Sequence, residues 1–404
     1  MSERRGSSHL RFVAAGTVDA CGLAFGWTVF TLAQLHDHGL RTVAEYNSAM
    51  LVGIVLAAPV TGWARRRWSN RALLRGVTVT EATLRVVVLL SIGASTSTGV
   101  LAVAICAMNV AAWSGYACMR AEVVGHGGER AAALVLSRYG GMILAAEGLG
   151  ASLAALSWRW ALGSFTVRLV IAAIYALSLL PTLAVSRLAS TDRALADAPR
   201  ASIRRGDWWI LASSVALTAV AAGPILLYVA LAEQFWGAGA VIVAAAAVTL
   251  GALMAPIGLR AVAALRLPEP VEWALWSFGL VIGWAVADLG IVTLAMAAWL
   301  SGLSVTAFES LMDHRLTGGR RHGDGRITAS LARGAASRAL GGAVAVRMLP
   351  IWMSHVSLTE LSIGGAIVAA ALAAAGISLH PARPTATPSL VPNGVASTNH
   401  AVGD

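Results

Sequence analysis

Four ionisable side chains lie near the centres of long apolar stretches of this chain, where they could carry protons. They are Asp19, Glu81, Arg85 and Glu147. A charged Asp or Arg at the centre of a membrane-crossing helix costs about 2.5–3.5 kcal/mol on insertion scales, so it usually faces a cavity or an opposite charge. Glu81 and Arg85 are four residues apart and share one helix face, where they can neutralise each other. The pair is either a structural ion pair or part of a coupling site.

Asp19 and Glu147 have no opposite charge at helical spacing within their own stretches. Each must find a partner elsewhere or bind a proton, because burial penalises a charged carboxylate. A carboxyl group that is neutral or charged depending on its contact with water is what proton coupling requires. Arg85 is the natural internal partner for either acid. We therefore predict a proton-coupling network of Asp19, Glu147, Glu81 and Arg85.

The stretch near 327–351 differs, because it holds Arg333, Arg338 and Arg347 and no acid. Arg347 lies near the end of the stretch, where its side chain can reach the membrane interface. Two interpretations stay open for the arginines. They pair with carboxylates of the first half across a cavity, or they bind an anionic group of a substrate. Arg333 and Arg338 are thus candidate substrate-binding residues.

Four aromatic residues inside apolar stretches could line a pocket for a flat, apolar substrate. They are Trp27, Trp113, Trp299 and Tyr116, and Trp27, Trp113 and Tyr116 are the predicted substrate-binding residues among them. Packing between helices is the alternative explanation for all four, since large aromatic side chains also fill helix interfaces.

No constellation of catalytic or metal-binding residues is found in the sequence. The histidines are scattered, without the paired spacing of a metal site. The glycine-rich stretch 318–325 lacks the Gly-Lys-Ser/Thr of a phosphate-binding loop. Cys21, Cys106 and Cys118 lie inside apolar stretches and indicate no disulfide framework. We expect no enzyme and no cofactor, with a proton gradient as the source of energy.

Twelve apolar stretches of roughly twenty residues position these side chains. About 18 or more apolar residues in a row are what a helix needs to cross a bilayer. The composition agrees, with 57% hydrophobic and 12% charged residues and a mean hydropathy of +0.71. We predict an all-α, polytopic membrane protein. Its helices are expected near 10–35, 44–64, 72–95, 98–119, 130–156, 162–186, 208–230, 238–259, 272–290, 291–311, 327–351 and 357–379.

The arginines predict the orientation of these helices. The net charge of +10 comes from arginine alone, because the chain has no lysine. The arginines cluster in alternate connectors, which the positive-inside rule explains better than nucleic-acid binding. We predict both termini in the cytoplasm of a cell whose inner (plasma) membrane holds the chain. The connectors assigned to the cytoplasm contain Arg65, Arg66, Arg67, Arg71, Arg75, Arg187, Arg193, Arg200, Arg204, Arg205, Arg260, Arg266, Arg315, Arg320, Arg321 and Arg326.

An internal repeat divides the chain into two halves. Ala58-Pro59-Val60 recurs as Ala255-Pro256-Ile257, and Ser114-Gly115 followed by Glu122 recurs as Ser301-Gly302 followed by Glu309. Arg130 and Arg326 match at nearly the same offset. Repeated halves with a site between them are typical of secondary transporters. We predict a six-helix half over 1–186, a cytoplasmic linker over 187–207, a second six-helix half over 208–380 and a disordered tail over 381–404.

The connector after the second stretch resembles a loop motif of the major facilitator superfamily, and the six-plus-six layout resembles that family over nearly the whole chain. Arg66 stands at the family's Asp position, Ser69 at its second Gly and Asn70 at its next Arg. The family's Asp latches the loop to the eleventh helix, and an arginine cannot accept hydrogen bonds from a helix N-terminus. Glu122 could instead pair with Arg67 or Arg71. The positions that fit the family motif are Gly62, Arg67, Arg71 and Leu74.

The resemblance implies a secondary active transporter that works by alternating access. With the unpaired carboxyls, it favours a proton-coupled antiporter that exports a small hydrophobic compound, a drug or secondary metabolite. Two alternatives stay open. One is proton-coupled uptake of an anionic small molecule held by Arg333 or Arg338, and the other is a transporter-like sensor or scaffold that moves nothing. The expected partners are a small-molecule substrate and the lipid bilayer, with the chain acting as a monomer.

Overall fold

The structure is a computed structural model that describes residues 2–94, 96–127, 132–189, 205–317 and 325–379. Every regular element within these ranges is helical. Several predicted features lie outside the described residues. They are Arg130, most of the central linker (190–204), Arg320, Arg321 and the tail over 381–404.

Twelve helices, α1 to α12, run through the described residues. The first is α1 (2–38), which is joined to α2 (40–67) in one run, Ser2–Arg67, that the non-helical Gly39 divides. The other helices of the first half are α3 (Asn70–Leu90), α4 (Thr98–Gly127), α5 (Ala132–Gly163) and α6 (Phe165–Leu177 and Leu180–Val185, with a 3-10 turn Ser186–Leu188).

The second half begins with α7, which has three pieces (Arg205–Ala221, Gly223–Leu226 and Tyr228–Trp236). It is followed by α8 (Ala238–Ala264) and by α9 (Glu269–Ile282, with a 3-10 turn Gly283–Val286). The half is completed by α10 (Ile291–Thr317), α11 (Gly325–Met353) and α12 (Leu358–Leu379).

The twelve helices coincide with the twelve predicted stretches, so the predicted fold class is confirmed. Seven described stretches are long and apolar enough to cross a membrane, and the first of them, Leu10–Arg67, contains both α1 and α2. The remaining helices are α3, α7, α9 and α11. Of these, α3 and α11 carry several charges, α7 is broken and α9 is short. The helices with the weakest membrane signal thus include those with the most ionisable side chains.

α6 and α7 are interrupted, where single helices are predicted over 162–186 and 208–230. The second piece of α6 has Pro181 in its first turn, and the short middle piece of α7 has Pro224 there. Proline has no N–H to bond the carbonyl four residues earlier, so the helix ends and starts again. Hydropathy counts apolar residues and does not register a missing donor, which is why the interruptions were not predicted.

The internal repeat is visible in how the helices pack within each half. Gly150 of α5 lies against α1 and Gly53 of α2 against α4, while Gly341 of α11 lies against α7 and Gly251 of α8 against α10. A Cβ atom at any of these four glycines would overlap a backbone carbonyl oxygen of the neighbouring helix. The same two close crossings therefore occur in both halves, about half a chain apart.

The two halves meet mainly along two helix pairs, α2 with α11 and α5 with α8, and a smaller contact joins the run Ser2–Arg67 to the last piece of α7. We call the end of the bundle where α1 meets α2 at Gly39 the turn end. The opposite end, which carries Arg65, Arg66 and Arg67, is the arginine end. The hydrophobic cluster at the turn end draws on both halves, whereas each of the other two clusters draws on one half. The bundle is therefore closed at the turn end.

Candidate functional site

Arg85 of α3 is the centre of a buried charge cluster in the first half. Its Nη2 donates hydrogen bonds to Glu81 and, at 2.6 Å, to Oδ1 of Asp19 on α1. Its Nη1 donates to the carbonyl of Tyr175 at 3.1 Å and to Oγ of Ser178 at 2.9 Å. The side chain of Arg85 has no exposure to solvent, and that of Glu81 has 3%. The predicted contact of Arg85 with Glu81 and with one of the two other acids is observed.

The interruption of α6 supplies one of the acceptors for Arg85. The N–H of Leu179, which would bond the carbonyl of Tyr175 in a continuous helix, instead donates to the carbonyl of Ala176. The freed carbonyl of Tyr175 accepts the hydrogen bond from Arg85. The break in α6 and the position of the guanidinium are thus parts of one arrangement.

The cluster of Asp19, Glu81 and Arg85, here called the triad, contains two acids and one base. With both carboxylates ionised its net charge is −1, and one proton makes it neutral. Asp19 is the accessible member, because its side chain is 28% exposed while the other two are buried. The triad therefore contains one acid more than it has bases, and Asp19 is its exposed member.

Glu147 lies on α5, outside the triad. It makes no hydrogen bond or ion pair with a residue that the structure describes, and it is partly buried. The phenols of Tyr116 on α4 and Tyr228 on α7 are close enough for electrostatic interaction with its carboxylate. Since α4 and α7 belong to different halves, Glu147 lies where the halves face each other. Sequence spacing did not identify Tyr228, which begins the third piece of α7 just after its second interruption.

Two of the three predicted aromatic residues lie together, and the third does not. The rings of Trp113 and Tyr116 are 5.5 Å apart edge to face, and Tyr116 stacks at 6.0 Å on Tyr139 of α5. Trp27 instead packs on Phe30, against the cluster that closes the turn end. Trp113, Tyr116 and Tyr139 therefore form one aromatic row, and a pocket for a flat substrate stays a prediction.

Arg120 extends this aromatic row and was missed in the sequence. Its guanidinium carbon is 5.6 Å from the centroid of the Tyr116 ring. Arg120 has no ion pair with any described residue, in contrast to Arg85 and Arg338. It lies one residue past the predicted end of the fourth stretch, so it was not among the charges predicted inside a helix. The extension of α4 to Gly127 places it within the helix.

Arg338 of α11 pairs with two acids of its own half. Its Nε is 3.1 Å from Glu309 and its Nη1 3.1 Å from Asp313, both on α10. The two partners predicted for Arg338, an acid of the first half or a substrate anion, do not include these acids of α10. Glu309 and Asp313 were not identified as site residues, because their partner lies 25 or more positions away in the sequence. Arg333 is partly buried on α11.

One arginine of α11 does reach across to the first half. Arg347 forms an ion pair with Glu45 of α2. Beside it, the Ser48 hydroxyl donates to the carbonyl of Ala343 at 3.2 Å. Both contacts join α2 to α11 at the turn end. They add polar links to the hydrophobic closure there.

The loop between α2 and α3 is anchored to two places in the first half. Arg71 donates to the carbonyl of Ala189 at 3.2 Å, and Glu122 accepts a hydrogen bond from Asn70. Arg67 lies over the ring of Trp63 at 4.4 Å. Asn70, which stands at an arginine position of the family motif, thus supplies a donor for Glu122. Gly62 and Arg66 are exposed.

Among the described residues, no group of three or more His, Cys, Asp or Glu side chains is placed to hold a metal ion. No family model matches the chain. No curated protein matches it either. Comparison with solved structures identifies the fold.

Two solved structures of transporters are similar to the chain over nearly its whole length. The nucleoside transporter NupG has a TM-score of 0.68 at 12% identity, covering 93% of this chain and 100% of that one. A D-xylose-proton symporter has a TM-score of 0.68 at 10% identity, covering 90% and 97%. The chain has the major facilitator fold. In that fold the triad lies within the first half, Arg338 and its acids lie within the second, and Glu147 lies where the two halves face each other.

Proposed function

We propose that the chain is a secondary transporter of the membrane, not an enzyme, and that it couples the movement of a small molecule to protons. The observation that carries this proposal is the triad, in which two carboxylates share one arginine away from the protein surface. One acid is enough to neutralise one arginine, and Arg85 and Glu81 form such a pair in a buried position, whereas both acids of Arg338 are partly exposed. A second acid that is partly open to water adds a site that can gain and lose a proton.

The proposed mechanism is alternating access between the two halves. The halves close at the turn end in this structure, and α10 exposes Glu309 and Asp313 by 44% and 36% of their side chains. Asp19 would exchange protons with the end of the bundle that is open. Glu147 would sense the substrate and the opposite half, because it faces Tyr116 and Tyr228 without an ion pair.

For the direction of transport we propose proton-coupled export by exchange, with a small hydrophobic compound as the substrate. The row of Trp113, Tyr116 and Tyr139 offers it aromatic surface. Protonation of Asp19 or Glu147 from the outer side would release the compound, and deprotonation towards the cytoplasm would restore affinity. This scheme places the arginine end in the cytoplasm, as the positive-inside rule predicts.

Proton-coupled uptake is a second candidate, and two observations favour it. One of the similar structures is a proton symporter for a sugar, D-xylose. Arg120 offers a guanidinium without an acid beside the aromatic row, where an anionic or strongly polar group of a substrate could bind. Arg338 is less suited to that role than the sequence suggested, because Glu309 and Asp313 already neutralise it.

Proton flux in proteoliposomes tests both candidates. Purified chain is reconstituted with a pH-sensitive dye in the lumen, and lipophilic compounds, sugars, nucleosides and organic anions are added in turn. We expect one class to move protons, against the compound for exchange and with it for uptake. Asp19→Asn and Glu147→Gln should lose this flux. Asp288→Asn, which changes an exposed acid, should keep it.

Two results would contradict the proposal. Full coupling in both Asp19→Asn and Glu147→Gln would remove the acids from the mechanism. No flux with any compound class, with the protein folded in the membrane, would favour a sensor or scaffold that transports nothing.

A further inference from the structure

The junction between α2 and α3 exposes a patch that the transport mechanism does not use. We define the junction patch as Trp63, Arg66, Arg67 and Trp68. Both indoles are 47% exposed, and both arginines are exposed. The two rings pack edge to face with centroids 5.5 Å apart, and the guanidinium carbon of Arg67 is 4.4 Å from the Trp63 centroid. The patch is therefore an ordered surface made of two indoles and two cations.

The arginines of the patch differ from the next two in the sequence. Arg71 donates to the carbonyl of Ala189, and Arg75 donates to the hydroxyl of Ser186 at 3.1 Å. Arg66 and Arg67 make no hydrogen bond or ion pair with any residue the structure describes. Their guanidinium N–H groups are thus available to an acceptor from outside the chain.

The position of the patch indicates which acceptor it meets. It lies where α2 ends and the chain turns back into α3, and exposed tryptophans at the end of a membrane helix settle at the level of the lipid headgroups. Phosphate is the acceptor at that level, and the planar guanidinium binds phosphate oxygens in pairs. Basic residues beside a membrane helix also attract lipids with a net negative charge.

The internal repeat shows that the patch is not a general consequence of the fold. With Pro59 matched to Pro256, the equivalent junction lies between α8 and α9. There the positions of Arg66, Arg67 and Trp68 are occupied by apolar residues, which are Ala263, Ala264 and Leu265. At these three positions the first half thus has two cations and an indole, and the second half has apolar side chains. The two arginines of the second junction, Arg260 and Arg266, stand at the positions of Trp63 and Ser69.

We propose that the junction patch binds the phosphate headgroup of an anionic phospholipid, with Arg66 and Arg67 as donors and the two indoles against the glycerol and upper acyl region. The bound lipid would hold the turn between α2 and α3 at the membrane surface. This site is independent of the transported substrate and of proton coupling.

Lipid binding by the purified full chain tests the proposal. Native mass spectrometry in detergent measures the affinity for phosphatidylglycerol and for phosphatidylcholine, with inorganic phosphate as a competitor. We expect the wild type to prefer phosphatidylglycerol. Arg66→Gln combined with Arg67→Gln should weaken its binding about thirtyfold, from two surface arginines. Arg260→Gln combined with Arg266→Gln removes two arginines of the second half's junction and should leave binding unchanged.

Two further measurements distinguish a loss of positive charge from a loss of folding. Arg66→Lys with Arg67→Lys keeps the charge and should retain most of the preference, and thermal unfolding shows whether each variant is folded. Phosphatidylglycerol binding that is unchanged in the folded glutamine variant would overturn the proposal. Displacement of the lipid by millimolar inorganic phosphate would also overturn the proposal, because the junction patch would then be a binding site for a free anion.

Discussion

At the scale of single residues, the triad shows what sequence spacing can and cannot reveal. The pair Glu81 and Arg85 was predictable, because residues four apart on a helix share a face. The choice of Asp19 over Glu147 as the third member was not, because it depends on how α1 packs against α3. The acids of Arg338 were missed for the same reason, since they are on a different helix.

Removal of Arg85 alone should destabilise the protein. Arg85→Leu leaves two carboxylates without their base, so we expect a loss of about 3–5 kcal/mol in stability. Arg85→Leu combined with Glu81→Leu removes the buried acid too and should recover most of this loss, while proton-coupled flux stays absent. Thermal unfolding in detergent measures the first effect and the proteoliposome assay the second. A double variant as unstable as the single one would show that the acids do not depend on Arg85.

Arg338 and Arg120 should respond differently to truncation. Arg338→Ala removes the guanidinium that binds both Glu309 and Asp313, so we expect it to destabilise the chain by about 1–3 kcal/mol. Arg120→Ala loses a contact with the Tyr116 ring and no ion pair, so its effect on stability should stay within about 1 kcal/mol. Thermal unfolding of both variants checks the difference. Equal losses would contradict the assignment of Arg120 as an arginine without an acidic partner among the described residues.

At the scale of helices, the sequence predicted the number and order of the elements better than their continuity. Apolar length is a property of composition, so all twelve stretches could be recognised. The break in α6 and the first break in α7 each precede a proline, but the second break in α7 does not, and not every proline breaks a helix. Pro59, Pro256 and Pro350 lie inside helices that continue. Which proline interrupts a helix is decided by the helices packed around it, and this cannot be read from the sequence.

The close helix crossings should tolerate no added methyl group. Gly150→Ala in the first half and Gly341→Ala in the second each place a Cβ against a backbone carbonyl of the neighbouring helix. We expect both to lower the unfolding temperature, by an overpacking effect of about 1–3 kcal/mol. Gly364→Ala on α12 is the matched control, because open space surrounds that position. If the three variants melted alike, the crossings would not depend on glycine.

At the scale of the whole molecule, closure at the turn end is a state of the two halves that no single stretch encodes. The repeat and the arginine-rich connectors predicted that there are two halves. They could not predict which end is closed, because this follows from contacts between α2 and α11 that are about 300 positions apart in the sequence. Neither Glu45 nor Arg347 stands out in the sequence. Their ion pair, which joins α2 to α11 at the turn end, is seen only in the structure.

Locking the turn end should stop transport. In a background where Cys21, Cys106 and Cys118 are replaced by alanine, cysteines at Ser48 and Ala343 place two thiols at a contact between α2 and α11. We expect a short bifunctional cross-linker to abolish substrate-driven proton flux, while each single-cysteine variant stays active. A linker with a cleavable disulfide allows recovery by reductant. Full flux in the cross-linked protein would mean that the turn end does not open during transport.

Because the ionised triad has a net charge of −1, the membrane voltage becomes part of the proposed mechanism. A carrier that changes between a net charge of −1 and 0 near the middle of the bilayer carries unequal charge in its two reorientation steps. An elementary charge that crosses the whole field gains or loses about 2.3 kcal/mol per 100 mV, and a charge that crosses part of it gains a share. The step made with the proton absent would then speed up or slow down with voltage, and the step made with the proton bound would not. The cell's electrical potential, and not only its pH difference, would set how fast this protein turns over.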